Sequence, residues 1–215
     1  MAGNLTYADQ VGFGDWEVES TRISVNGRTT SLLNRRRSII FDSGTSNILF
    51  STSTTEAMYA LISSDIQPFD DEPGAYGLPC DRIDGLPAVI DITFTSQQGT
   101  PFNLTIPSSE LNVGPFKSDP TICQTLINAF DGLDLVGGSV LKHYYSVWDI
   151  GNQRMGFAPN GQSRMSQEMN ASHRLSSHRF LSGMRVLQTV VMITMIVRIV
   201  KCYDHRTEAG SHASG

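Results

Sequence analysis

An aspartate at the end of an apolar run, with hydroxyls directly behind it, is the part of this sequence best suited to chemistry. The run is Ile39-Ile40-Phe41, the acid is Asp42, and Ser43-Gly44-Thr45-Ser46 follow at once. Three apolar residues of strand character would carry Asp42 to the end of a buried strand, and Gly44 permits a tight turn after it. Hydroxyls on Ser43, Thr45 and Ser46 then stand within reach of the carboxylate, and Gly44 can face its own N–H towards it. Close donors and little water are the setting in which a carboxylate acts as a general acid or base. A bare Asp-Ser-Gly would be an ordinary turn between strands. The apolar approach and the trailing hydroxyls set this one apart.

Other candidates carry less. Asp84-Gly85 and Asp131-Gly132 have no following hydroxyl and read as turns, and Asp149 starts a hairpin turn through Gly151-Asn152. The histidines (His143, His173, His178, His205 and His212) have no metal-ligand spacing, and His143, beside a strand, reads as structural. There is no Gly-Lys-Ser/Thr phosphate loop and no Cys-x-x-Cys. A net charge of −5 over 215 residues argues against nucleic acid, which asks for a basic face. No metal or organic cofactor is implied.

The elements around Asp42 read mostly as strands. Asn26-Gly27 is a hairpin signal between Phe13 and Phe50. Arg35-Arg36-Arg37 interrupts that stretch and reads as a solvated turn. Ser53-Thr54-Thr55-Glu56 has the form of a capping box, with Ala57, Met58, Leu61 and Ile62 at helical spacing behind it. Residues 67–79, rich in Pro, Gly and Asp, are expected to form a loop leading to Cys80. Ala88 to Phe94 and Phe102 to Ile106 alternate as two strands joined at Gln98-Gly99. The stretch from Thr121 to Phe130 is expected to hold a short helix carrying Cys123.

The Asp42 segment resembles the second active-site motif of the pepsin-like aspartic proteases, a hydrophobic run followed by Asp-Thr/Ser-Gly-Thr-Ser. The resemblance extends in order and spacing over about residues 12–160. Upstream, Trp16-Glu17-Val18 and Ile23-Ser24-Val25-Asn26-Gly27 resemble the paired strands that precede the motif. Downstream, Leu135-Val136-Gly137 resembles the hydrophobic-hydrophobic-Gly element that crosses behind the catalytic loop. Tyr144 to Asp149 and Arg154 to Pro159 resemble the closing strands of the carboxyl-terminal lobe.

This resemblance implies an all-β fold, one half of the bilobal acid-protease barrel with short helices, over residues 1–160. It implies aspartic endopeptidase chemistry, with Asp42 one of two aspartates that activate a water, and Ser43, Gly44, Thr45 and Ser46 supporting it. The substrate would be a polypeptide. Only one Asp-Ser/Thr-Gly occurs in the chain, so the second acid would come from an amino-terminal lobe absent here or from a second copy, as in retroviral proteases. The alternative is a silent lobe that binds peptide or protein without cutting it. The resemblance also implies a disulfide between Cys80 and Cys123, leaving Cys202 without an evident partner.

Asn-x-Ser/Thr sequons at Asn4, Asn103 and Asn170 agree with that disulfide in pointing to the secretory route, extracellular or vacuolar. The polar start Met1-Ala2-Gly3-Asn4 has no apolar leader core, and the reading expected here is of a missing front end. Residues 161–183, dominated by Ser, Arg, His, Met and Gln, read as a disordered spacer, and residues 184–215 as a tail. Within the tail, Val186 to Val200 is aliphatic, but the uncharged run between Arg185 and Arg198 falls well short of the ~20 residues of a spanning helix. With Arg198 snorkelling, 186–200 could associate weakly with a membrane as an anchor; the alternatives are a helix lying on a membrane surface and a non-native tail.

Overall fold

The computed structural model describes residues 5–12 and 14–160. The expected spacer and tail, the aliphatic run from Val186, Cys202 and the sequons at Asn4 and Asn170 lie outside those residues. Strand β1 (Thr6–Asp9) and the long β2 (Glu17–Val25) come first, and β3 (Arg37–Phe41) and β4 (Ile48–Phe50) flank the Asp42 turn. Helix α1 (Thr52–Tyr59), β5 (Gln67–Pro68), β6 (Tyr76–Pro79) and the one-turn α2 (Cys80–Ile83) follow. Next come the hairpin β7 (Ile90–Thr95) and β8 (Pro101–Ile106), then β9 (Asn112–Pro115), β10 (Ile122–Thr125) and β11 (Ile127–Ala129). The described chain closes with β12 (Leu135–Val136), α3 (Gly138–Leu141), β13 (Tyr144–Asp149) and β14 (Arg154–Pro159).

These strands form three sheets, ordered β11-β4-β12-β3-β2-β7-β8, β5-β6-β10-β9 and β1-β14-β13. The all-β expectation holds, and the helices are short. Strand β2 serves two neighbours, pairing with β3 through Glu17–Ser20 and with β7 through Ser20–Val25, with a register shift between Ser20 and Arg22. The two segments expected to pair, around Glu17 and around Ile23, are therefore one strand. The irregularity that bends it explains why the sequence reads as two. Asn26 (φ 52°) and Gly27 (φ 73°) make the tight turn expected of them, with Val25 and Arg28 exchanging backbone hydrogen bonds of 2.8 and 2.9 Å.

Several local expectations are corrected. The helix expected within Thr121 to Phe130 is absent, and Ile122–Thr125 instead alternates half-buried and buried as a strand between β6 and β9. The loop expected over residues 67–79 contains β5 and β6. Its Gly77 is a strand residue paired with Gln67 and Gln124, and it is glycine because a β-carbon there would meet Phe116, Ile122 and the Cys123 carbonyl at 2.8 to 2.9 Å. The cap of α1 is Ser51 rather than Ser53, and its side chain accepts from Thr54 N–H. Asp131 reinforces that end, accepting from the N–H and the hydroxyl of Thr52 at 2.9 and 3.0 Å.

Four phenylalanines hold the large sheet against β14. Phe41 on β3 lies 5.1 Å from Phe157 and 5.7 Å from Phe94, and Phe102 lies 6.2 Å from Phe157. Tilted pairs at this spacing add about 0.5–1.5 kcal/mol each beyond their buried area. Phe41 immediately precedes Asp42, so a buried aromatic anchors the strand at its last residue. Cys80 and Cys123 are joined by a disulfide, which ties α2 to β10.

Candidate active site

Strand β3 is held on both sides up to its last residue. Ile39 and Phe41 are buried against the core. Phe41 N–H bonds the Trp16 carbonyl at 2.8 Å, and Asp42 N–H bonds the Val136 carbonyl at 3.0 Å. Strand β12 runs parallel to β3 (Leu135 beside Ile40, Val136 beside Phe41) and antiparallel to β4. The chain thus leaves β3 at Asp42, turns, and returns as β4 on the far side of β12.

Gly137 lets β12 pass so closely behind this turn. A β-carbon at Gly137 would lie 2.2 Å from the Thr45 carbonyl oxygen and 2.6 Å from that of Asn47. Its φ of −107° is open to any residue, so the requirement is one of space. The next two amides then grip the turn, Gly138 N–H bonding Thr45 C=O at 2.7 Å and Ser139 N–H bonding Ser46 C=O at 3.1 Å.

On this support the half-buried Asp42 carboxylate is held by both its oxygens. Oδ1 accepts from Gly44 N–H at 2.9 Å, and Oδ2 accepts from the Thr45 hydroxyl at 2.7 Å. Charge-assisted bonds of this kind are the strong ones, and two of them fix the plane of the carboxylate. Thr45 is buried beneath the turn, whereas Ser43 and Ser46 are exposed at its rim. Among the described residues the hydrogen-bond donors to the Asp42 carboxylate are Gly44 and Thr45, not Ser43 or Ser46. Together with Thr45, Asn47, Asn112 and Ser139 these two serines line a polar cleft of about 340 Å³, and Leu126 and Val113 supply its apolar wall.

A model of the family described as eukaryotic aspartyl protease matches residues 1–160. The chain belongs to this family. Among curated relatives, a probable vacuolar protease A of Trichophyton verrucosum is 32% identical over 152 residues, covering 66% of this chain and 33% of that protein. An aspartic protease of Phaffia rhodozyma is 30% identical over 161 residues, covering 73% of this chain and 37% of that protein. Pepsin A of Sus scrofa is 29% identical over 166 residues, covering 73% and 38% respectively. The chain spans about a third of the length of the aspartyl proteases it matches.

Two charged groups behind the site escaped sequence reasoning. Arg37, expected on an exposed turn with Arg35 and Arg36, starts β3 with its side chain only 6% exposed. Its guanidinium lies 3.6 Å from Asp134, donates to the Leu32 carbonyl at 2.8 Å and to the Thr54 hydroxyl at 3.1 Å. Asp134 in turn accepts from Ile40 N–H through its backbone and from Ser51 N–H through its side chain, at 2.9 and 3.4 Å. The pair therefore binds the start of β3, the head of α1 and the approach to β12. Burial raises the Asp134 carboxyl above its ordinary value against the pull of Arg37, and burial likewise lowers the Arg37 pKa against the pull of Asp134. The signal in the sequence was the position of Arg37, two residues before the buried Ile39 and so on the strand.

Glu110 makes a second cluster on the wall of the cleft. Lys142 donates to one carboxylate oxygen, and His143 Nε2 lies 3.2 Å from the other. Burial pushes the Glu110 carboxyl up, but the bonds and charges of His143 and Lys142 outweigh it and hold it below its ordinary value. Among the described residues no group of three or more His, Cys, Asp or Glu side chains is placed to hold a metal ion. No described helix is long and apolar enough to cross a membrane.

Proposed function

We propose that this chain supplies one catalytic lobe of an aspartic endopeptidase, with Asp42 as one of its two acids. The observation that carries this is the Asp42 carboxylate, fixed by Gly44 N–H and the Thr45 hydroxyl at the open end of a doubly supported strand. Two carboxylates about 3 Å apart share one proton, because both cannot be ionised together. The ionised member takes a proton from a water as that water attacks the peptide carbonyl. The protonated member gives its proton to the carbonyl oxygen, and the tetrahedral intermediate then collapses with proton transfer to the leaving amine. Within this lobe the Asp42 fixture orients one acid, and the polar cleft beside it receives part of an extended polypeptide.

The second acid comes from a partner lobe. Support for such pairing lies on β13, an edge strand of the β1-β14-β13 sheet. Tyr145 and Val147 project from one of its faces, 55% and 36% exposed, and Ile150 just beyond is 78% exposed. Apolar groups collected on an unpaired edge suit burial against another lobe. The vacuolar names of several fungal relatives and the Cys80–Cys123 bond support a vacuolar or secretory location.

A second reading is a peptide-binding lobe without turnover, favoured by the single Asp-Ser/Thr-Gly in the chain. Proteolysis of denatured protein at pH 3 to 5 separates the two. The chain alone should be inactive, and addition of an amino-terminal lobe from a related vacuolar protease should give activity blocked by a statine-type inhibitor. Tight complex formation with that lobe and no cleavage would favour the binding reading.

A further inference from the structure

The outer edge of the seven-stranded sheet is β8, which pairs only with β7. An edge strand offers its outward N–H and C=O groups to any passing chain, and native proteins close such edges. Backbone pairing alternates along this hairpin, starting from Ser96 N–H bonded to Thr100 C=O at the turn. Phe102, Leu104 and Ile106 therefore direct their backbone groups to β7, while Pro101, Asn103 and Thr105 direct theirs outward.

One of those outward positions is half closed and one is fully closed. Pro101 has no N–H to offer. Thr105 N–H donates to the Tyr144 hydroxyl, and that hydroxyl donates back to Thr105 C=O at 3.2 Å. Among the described residues Asn103 keeps both an outward N–H and an outward C=O without a partner, and Pro101 keeps only its C=O. Asn103 is also the first residue of the sequon Asn103-Leu104-Thr105. Asn103 and Thr105 are exposed and Leu104 between them is buried, so both polar members face solvent. Thr93 donates its hydroxyl to Asn103 Oδ1 at 2.9 Å, which leaves Nδ2 with no partner among the described residues.

We propose that Asn103 carries an N-linked glycan, and that this glycan closes the last fully open rung of the β8 edge. The donor is a lipid-diphosphate-linked oligosaccharide of the secretory pathway. Asn103 Nδ2 forms a bond to the anomeric carbon, the bond from that carbon to the phosphate oxygen breaks, Nδ2 loses one proton, and the lipid diphosphate leaves with the electron pair. An added strand would have to lie about 4.8 Å from β8. A hydrated oligosaccharide rooted on that strand occupies this space.

The test is to secrete the full chain from a yeast host and release glycans with an amidase in heavy-oxygen water, which converts each occupied Asn to a mass-tagged Asp. The Asn103 peptide should be tagged in most copies, and both Asn103→Gln and Thr105→Ala should remove one glycan from the intact mass. An untagged Asn103 peptide would overturn the proposal. Sedimentation then compares the glycosylated wild type with glycosylated Asn103→Gln, so that association through β13 and any glycan at Asn4 or Asn170 are common to both. A several-fold rise in the associated fraction of the variant is expected, and no change would overturn the edge-closing role.

Discussion

The β-carbon that Gly137 lacks would sit 2.2 Å from the carbonyl oxygen of Thr45. Thr45 is also the residue whose hydroxyl holds Asp42 Oδ2 at 2.7 Å. The backbone crossing behind the turn and the orientation of the acid in front of it are therefore one device. A disturbance of the crossing is felt at the carboxylate.

Gly137→Ala should push the Thr45–Asn47 backbone away, because the obstacle is main chain and cannot rotate aside. Overpacking of this kind costs about 1–3 kcal/mol, and a backbone clash belongs at the upper end. Chemical denaturation of the variant should show a lower midpoint with an unchanged slope. A midpoint equal to wild type would show that the crossing has slack.

Thr45→Val keeps the shape of a buried side chain and removes the donor to Asp42. Hydrogen bonds to charged groups contribute about 1.5–3 kcal/mol, which corresponds to about a 10- to 100-fold loss of kcat/KM in the two-lobed enzyme. Thr45→Ser should restore most of it. Equal rates for the Val and Ser variants would remove Thr45 from the positioning of the acid.

Much of this was legible because the strand period and the Asp42 motif reinforce one another. Ile39 and Phe41 alternate into the core, and the apolar Leu135-Val136 pair before Gly137 gave the crossing. Failures came where one residue type serves two structures. Ile122 to Ile127 is apolar enough for either period, and only the pairing with β6 and β9 decides for a strand. Arg37 sat in a run of arginines that reads as surface, and its partner Asp134 is far away in sequence. Long-range pairs of this kind leave no local pattern. The exposed position of Ser43 and Ser46 was hidden for the same reason, since the turn's direction is set by β12.

The two carboxylates beside the site should give stability opposite slopes with pH. Glu110 has a lowered pKa in the folded chain, so its contribution is complete above the unfolded value of about 4.3 and is lost as pH falls through the folded one. Asp134 has a raised pKa, so the native state binds its proton more tightly, and stability is lost as pH rises through the folded value. Thermal melts from pH 3 to 7 should show Glu110→Gln losing part of the acid-side decline and Asp134→Asn losing the decline that sets in as pH rises through the Asp134 value. The same slope in both variants would contradict the assignment.

The Cys80–Cys123 bond closes a loop of sequence separation 43. In the chain-entropy model this contributes about 4 kcal/mol. Replacing both cysteines by Ala should lower stability by a similar amount, and non-reducing peptide mapping of the wild type should recover the cross-linked pair. Two alkylated thiols at these positions would refute the bond.

The most direct measurement is acid proteolysis by the chain paired with a related amino-terminal lobe, wild type and Asp42→Asn side by side. Asn keeps the size of Asp, its Oδ1 can still accept from Gly44 N–H, and its Nδ2 can donate to the Thr45 hydroxyl oxygen, so denaturation midpoints should stay close. General acid–base groups typically contribute about 10²- to 10⁴-fold, and we expect a loss of kcat within or beyond that range. An Asp42→Asn enzyme that keeps its rate to within a few-fold would contradict Asp42 as the catalytic acid of this lobe.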